Sequence, residues 1–111
     1  MAKTKWFLVQ DAYGFMHAKG EEIGDGLAVV HIYMNETTSV KNSWMVIDIK
    51  SGLHVGTRGQ PSKKEALLHH EHRSSSAGWK SAVTKARQSG KYQVMCEQLE
   101  DEKKKNGNKF E

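Results

Sequence analysis

The cations of residues 61–91 are the groups in this chain best suited to chemistry, and that chemistry is the binding of phosphate. Lys63 and Lys64 follow Ser62 and Pro61 at what reads as a helix start. The free N–H groups and positive dipole end of such a start favour an anion. Further along, Lys80, Thr84, Arg87 and Lys91 keep i, i+4, i+7, i+11 spacing, with Ser81, Lys85 and Gln88 beside them. That spacing predicts a donor-rich helix face opposite Trp79, Val83 and Ala86. With Arg73 between the two groups, the candidate nucleic-acid or anion-binding set is Lys63, Lys64, Arg73, Lys80, Thr84, Lys85, Arg87 and Lys91. Contacts of this kind hold a sugar–phosphate backbone and read no bases.

The charge distribution singles out the same segment. The 111 residues carry a net charge of +4, but residues 1–60 balance six Lys/Arg against six Asp/Glu. Residues 61–91 hold seven Lys/Arg against two Asp/Glu, whereas the last twenty residues are net −1. A basic excess confined to one segment points to an anionic partner more strongly than overall charge does.

Other chemistry is thin. His69 and His72 lie at i, i+3 and would need further ligands from His17, His31, His54 or Cys96 to hold a metal, so no metal site or cofactor is expected. No Gly-x-Gly-x-x-Gly or Walker loop occurs, and Cys96, the single cysteine, has no Cys-x-x-Cys partner. Its surroundings predict a buried, inert thiol. Asp48 stands alone as a carboxylate and reads as an end-of-strand residue. Trp6, Trp44 and Trp79 read as core anchors. The chain is therefore expected not to be an enzyme.

Strands and then helices must position these groups. Lys5–Gln10 and Tyr13–Ala18 predict a hairpin across Asp11–Ala12; Leu27–Met34, apolar on both faces, predicts a central strand; Ser43–Ile49 and the short Leu53–Val55 follow, joined by Lys50–Gly52. Gly20–Gly26 and Asn35–Asn42 read as connections. Ser62 with Glu65 three positions on forms a capping box, opening a helix over Lys63–Arg73. A second helix is expected over Ala77–Ser89, with its Trp79, Ala82, Val83, Ala86 stripe facing the sheet and Gly90 as C-cap. Tyr92–Lys104 fits a helix by length and composition, although Tyr92, Val94 and Cys96 also alternate as in a strand. The expected architecture is α+β, an antiparallel sheet of four to five strands (about 5–57) followed by two to three helices (about 62–105) on one face. Residues 1–105 would form a single domain, with 106–111 a flexible tail.

Trp44–Ile49, Leu53–Val55, Gly56-Thr57-Arg58-Gly59 and Ser62-Lys63-Lys64-Glu65-Ala66 together resemble the C-terminal half of a double-stranded RNA-binding domain. The resemblance covers about residues 44–73 and implies that the helix-start lysines meet phosphates. That family begins with a helix and continues this one with alanines, whereas the present chain begins with strands and continues with Leu67-Leu68-His69-His70.

The chain is thus read as a non-enzymatic binding protein for nucleic acid or a nucleoprotein. The alternative is a small protein-binding inhibitor or adaptor, comparable in size and style to the anti-defence proteins of phages and mobile elements, anti-CRISPR proteins among them. Four apolar residues after Lys5 are too few for a signal segment, and nothing approaches a membrane span, so a cytoplasmic location without membrane contact is expected.

Overall fold

The computed structural model describes residues 5–11, 14–33, 42–57 and 59–105. The expected turn at Ala12, most of the 35–42 connection, Arg58 and the tail from Asn106 lie outside the described residues. Strands β1 (Lys5–Asp11), β2 (Gly14–Gly24), β3 (Leu27–Tyr33) and β4 (Asn42–Asp48) form an antiparallel sheet in sequence order. Helices α1 (Lys63–Ser74), α2 (Trp79–Arg87) and α3 (Gly90–Lys105) follow, which gives the α+β architecture expected. The radius of gyration, 13.8 Å, is close to the ~13 Å of a compact body of this length.

Both faces of the sheet are apolar, and each buries a cluster. Phe7, Val9, Ala18, Ala28, Val30, Met45 and Ile47, from all four strands, make one. Leu27, Val29 and Val46 make the other, covered by Ala66 of α1, with Ile23, Trp44, Val55 and Leu67 around them. Alternation along β3 feeds both clusters, so Leu27 through Val30 are all buried, as its two-sided apolar pattern demands.

β2 runs six residues beyond the expected end at Ala18. Gly20–Gly24 continues the ladder, with a bulge between Glu22 and Gly24, and only Asp25–Gly26 turns the chain. Gly20 is a packing requirement rather than a turn signal, because a Cβ there would run into the Val29 carbonyl and the Val30 backbone.

The segment expected as a fifth strand is less regular. Residues 53–57 and 59–60 run back along β4, through Val55 N–H to Val46 O (2.7 Å), Val46 N–H to Thr57 O (3.1 Å) and a bridge of Trp44 with Gln60. It covers the exposed edge of β4 without forming a full ladder. The turn before it reaches the far edge of the sheet: Gln10 N–H donates to Gly52 O at 2.9 Å, and Gln10 Nε2 donates to Ser51 O and Met95 O. Contact between β1 and the turn after β4 requires the sheet to curl. Gly52, at φ +74°, makes it possible, since a side chain there would meet Leu8 O at 2.8 Å.

The helix boundaries correct two expectations. α2 ends at Arg87, and Gly90 begins α3 instead of capping α2. The reason is Ser89, whose Oγ accepts the Tyr92 N–H (3.1 Å) and so acts as an N-cap. The α2 stripe also fails to bury against the sheet; no α2 residue is buried. Trp6 is no core anchor, being 48% exposed, whereas Trp44 and Trp79 are partly buried.

Candidate functional site

The capped helix start is present, and much of its anion-binding capacity is already used. Ser62 Oγ accepts the Glu65 N–H at 3.1 Å, and Glu65 adds negative charge to the first turn. Lys63 pairs with Glu21 of β2 at 2.6 Å. Lys64 remains exposed there, with no ion pair among the described residues.

A second cation of the candidate set turns inward. Arg87 donates from Nε and Nη2 to Asp48 Oδ1 (3.1 and 2.9 Å) and from Nη2 to Asp25 O (2.8 Å). Asp48 Oδ2 accepts from Ser51 N–H, Ser51 Oγ and Tyr92 Oη, the last at 2.8 Å. A carboxylate that is only 5% exposed is costly to bury unless its oxygens are saturated, and here both are. Burial first, then the facing Asp48 and Cys96, hold the Tyr92 phenol well above its usual range, so it stays a donor. Asp48 is thus the tie that fixes α2 and α3 to the end of β4, and with its lone pairs filled it is unsuited to act as a base.

Two of the clefts around this tie are lined by Trp79 and Val83 of α2. The first, about 440 Å³, runs between α1 and α2 and gathers His70, Ser74, Lys80, Thr84 and Arg87, with Asp25 among its lining residues. Lys80, Thr84 and Arg87 therefore do share one side of α2. They flank Trp79 and Val83, which line the same cleft, rather than opposing them. Lys85 points elsewhere on α2, and Lys91 belongs to α3, because the break at Gln88–Ser89 ends the spacing that seemed to include it. Lys80, Thr84, Lys85, Lys91 and Arg73 are all exposed. The second cleft, about 310 Å³, is more apolar: Trp79, Ala82, Val83 and Ala86 line it together with Leu53, Val55 and Arg73.

Three of the histidines lie on α1. His69 Nδ1 and Thr57 Oγ1 are hydrogen-bonded at 2.9 Å, and His72 is exposed, so the i, i+3 pair is not drawn together around an ion. His70 sits edge-on to Trp79, centroids 5.7 Å apart, and its Nδ1 is buried with no hydrogen-bond partner among the described residues. Burial lowers its pKa below the usual imidazole range, against a smaller upward pull from Asp25. Cys96 is a free, buried thiol. Among the described residues no cluster of three or more His, Cys, Asp or Glu side chains is positioned to hold a metal, and no helix is long and apolar enough to cross a membrane.

His70, Ser74 and the Asp48 network were invisible to spacing, since Arg87 and Tyr92 lie 39 and 44 residues from Asp48. The one available signal was Asp48 itself, a lone acid in an apolar strand. Comparison with protein-family models, with curated proteins and with solved structures gives no match to this chain.

Proposed function

We propose that this protein is a non-enzymatic nucleic-acid-binding module that engages the sugar–phosphate backbone through the cationic surface of α1, α2 and the start of α3. The observation that carries this reading is the α1–α2 cleft, where Lys80 and Thr84 stand beside His70 and Ser74. Lys64, Arg73, Lys85 and Lys91 extend the exposed positive charge on either side, and none of them has an ion pair among the described residues. Arg87 contributes by holding α2 in place, and Lys63 only to the extent that it exchanges Glu21 for phosphate.

An electrophoretic shift assay tests the reading. Binding is expected at about 50 mM salt and weakens steeply as salt rises, because each neutralised phosphate releases counterions. Absence of a shift at low salt with single strand and duplex alike would overturn it. That result would favour a protein-binding inhibitor or adaptor, the reading supported by the apolar α2 cleft and by exposed Leu68 and Val94.

A further inference from the structure

The register of the sheet places four chemically related side chains in one row. Trp6 pairs with Lys19, Lys19 with His31, and His31 with Trp44, so a single line across β1, β2, β3 and β4 reads aromatic, cation, imidazole, aromatic. Alternation puts all four on the face that α1 partly covers. Burial is graded along the row. Trp44 and His31 are partly buried and stacked at 4.8 Å with an interplanar angle of 21°, whereas Lys19 and Trp6 are exposed. Lys19 Nζ lies 5.4 Å from the Trp6 ring centroid, His17 meets the Trp6 ring edge-on, and Phe15 on the same face is 39% exposed.

Half-exposed aromatics on a sheet normally pack against something. Here α1 covers the β3–β4 half of this face through Ala66 and Leu67, and Leu8 and Gln10 of β1 are buried, Gln10 against Met95 of α3, which leaves Trp6 with Phe15, His17 and Lys19 of β2 open. The mixture of flat rings and cations selects among partners: a purely apolar docking surface would lack Lys19 and His17, and a duplex presents no base faces to a ring. We infer that this row is a stacking platform for single-stranded nucleic acid, with unpaired bases lying on Trp6 and its neighbours and the backbone passing Lys19 and the α1 helix start. The inference rests on the nucleic-acid reading above and narrows it to single strands. Lys63 adjoins the platform, because its ion-pair partner Glu21 is two residues from Lys19 on the same face of β2. A base arriving on Trp6 displaces the Lys19 ammonium from the ring. An exposed cation–π contact is weaker than a base–aromatic stack, so the exchange favours the base and frees Lys19 for phosphate.

Fluorescence anisotropy with a labelled oligothymidylate and a labelled duplex of equal length tests this, using the full chain and the Trp6→Ala, Trp6→Phe and Lys80→Ala variants. Circular dichroism confirms that each variant folds, which half-exposed Trp6 permits. Single strand is expected to bind more tightly than duplex. Trp6→Ala should weaken single-strand binding about tenfold, Trp6→Phe should restore most of it, and both should leave duplex affinity nearly unchanged. Equal affinity for duplex and single strand, with Trp6→Ala without effect, would overturn the platform while leaving the cationic reading intact. Binding of neither probe would overturn both.

Discussion

Replacing Asp48 with asparagine keeps its shape but removes the charge that Arg87, Ser51 and Tyr92 all address. Breaking a buried ion pair from one side costs about 3–5 kcal/mol, and the one-third exposure of Arg87 places this case at the low end. Asp48→Asn is therefore expected to destabilise the protein by about 3 kcal/mol in urea unfolding. Combined with Tyr92→Phe it should cost less than the sum of the two, since both act on one carboxylate. His70 gives a pH dependence whose sign follows from burial. Its pKa is lower folded than unfolded, so the unfolded chain takes up the proton more readily. Stability is complete above the ordinary imidazole value, about 6.5, and is lost as pH falls from there through the lowered folded value. Thermal unfolding between pH 7 and pH 5 checks this, and His70→Phe should flatten the profile. Neither side chain was legible in sequence: Asp48 looked solitary because its partners lie on other elements, and His70 looked like one more polar residue in a histidine-rich run.

At the scale of elements, local chemistry was readable wherever neighbours in sequence decide the outcome. The period-two pattern of Leu27–Met34 predicts a central strand, which β3 supplies over Leu27–Tyr33, and Ser62 with Glu65 predicts the start of α1. Ser62→Ala is expected to cost about 1 kcal/mol, read as a lowered melting temperature. Glycines misled where packing, rather than a turn, required them. Gly20 reads as part of a connection but lies within β2, where β3 leaves no room for a Cβ, and Gly90 reads as the C-cap of α2, whereas Ser89 caps α3. Gly20→Ala should consequently be far more damaging than Gly59→Ala, where a Cβ meets nothing within 4 Å, although φ +68° still strains that site. Comparing soluble yield and urea midpoints of the two variants tests the distinction. The apolar stripe of α2 is legible in the sequence, but where it packs is not: the Arg87–Asp48 tie holds that helix beside a cleft, and no α2 residue is buried.

For the molecule as a whole, a curled sheet closed by the Gln10–Gly52 contact carries three helices whose first two bear the positive charge. The charge excess of residues 61–91 was apparent from the sequence, whereas its division was not. Arg87 and Lys63 are engaged with acids of the sheet, and the exposed cations form a narrower surface beside the α1–α2 cleft. The most direct test of that surface is the salt dependence of nucleic-acid binding, compared between the natural chain and a Lys80→Ala, Lys85→Ala variant. A plot of log affinity against log salt should be steep for the natural chain and shallower by about 1.4–1.8 in slope for the variant, two phosphate contacts having been removed. An unchanged slope, or no binding by the natural chain at about 50 mM salt, would contradict the account.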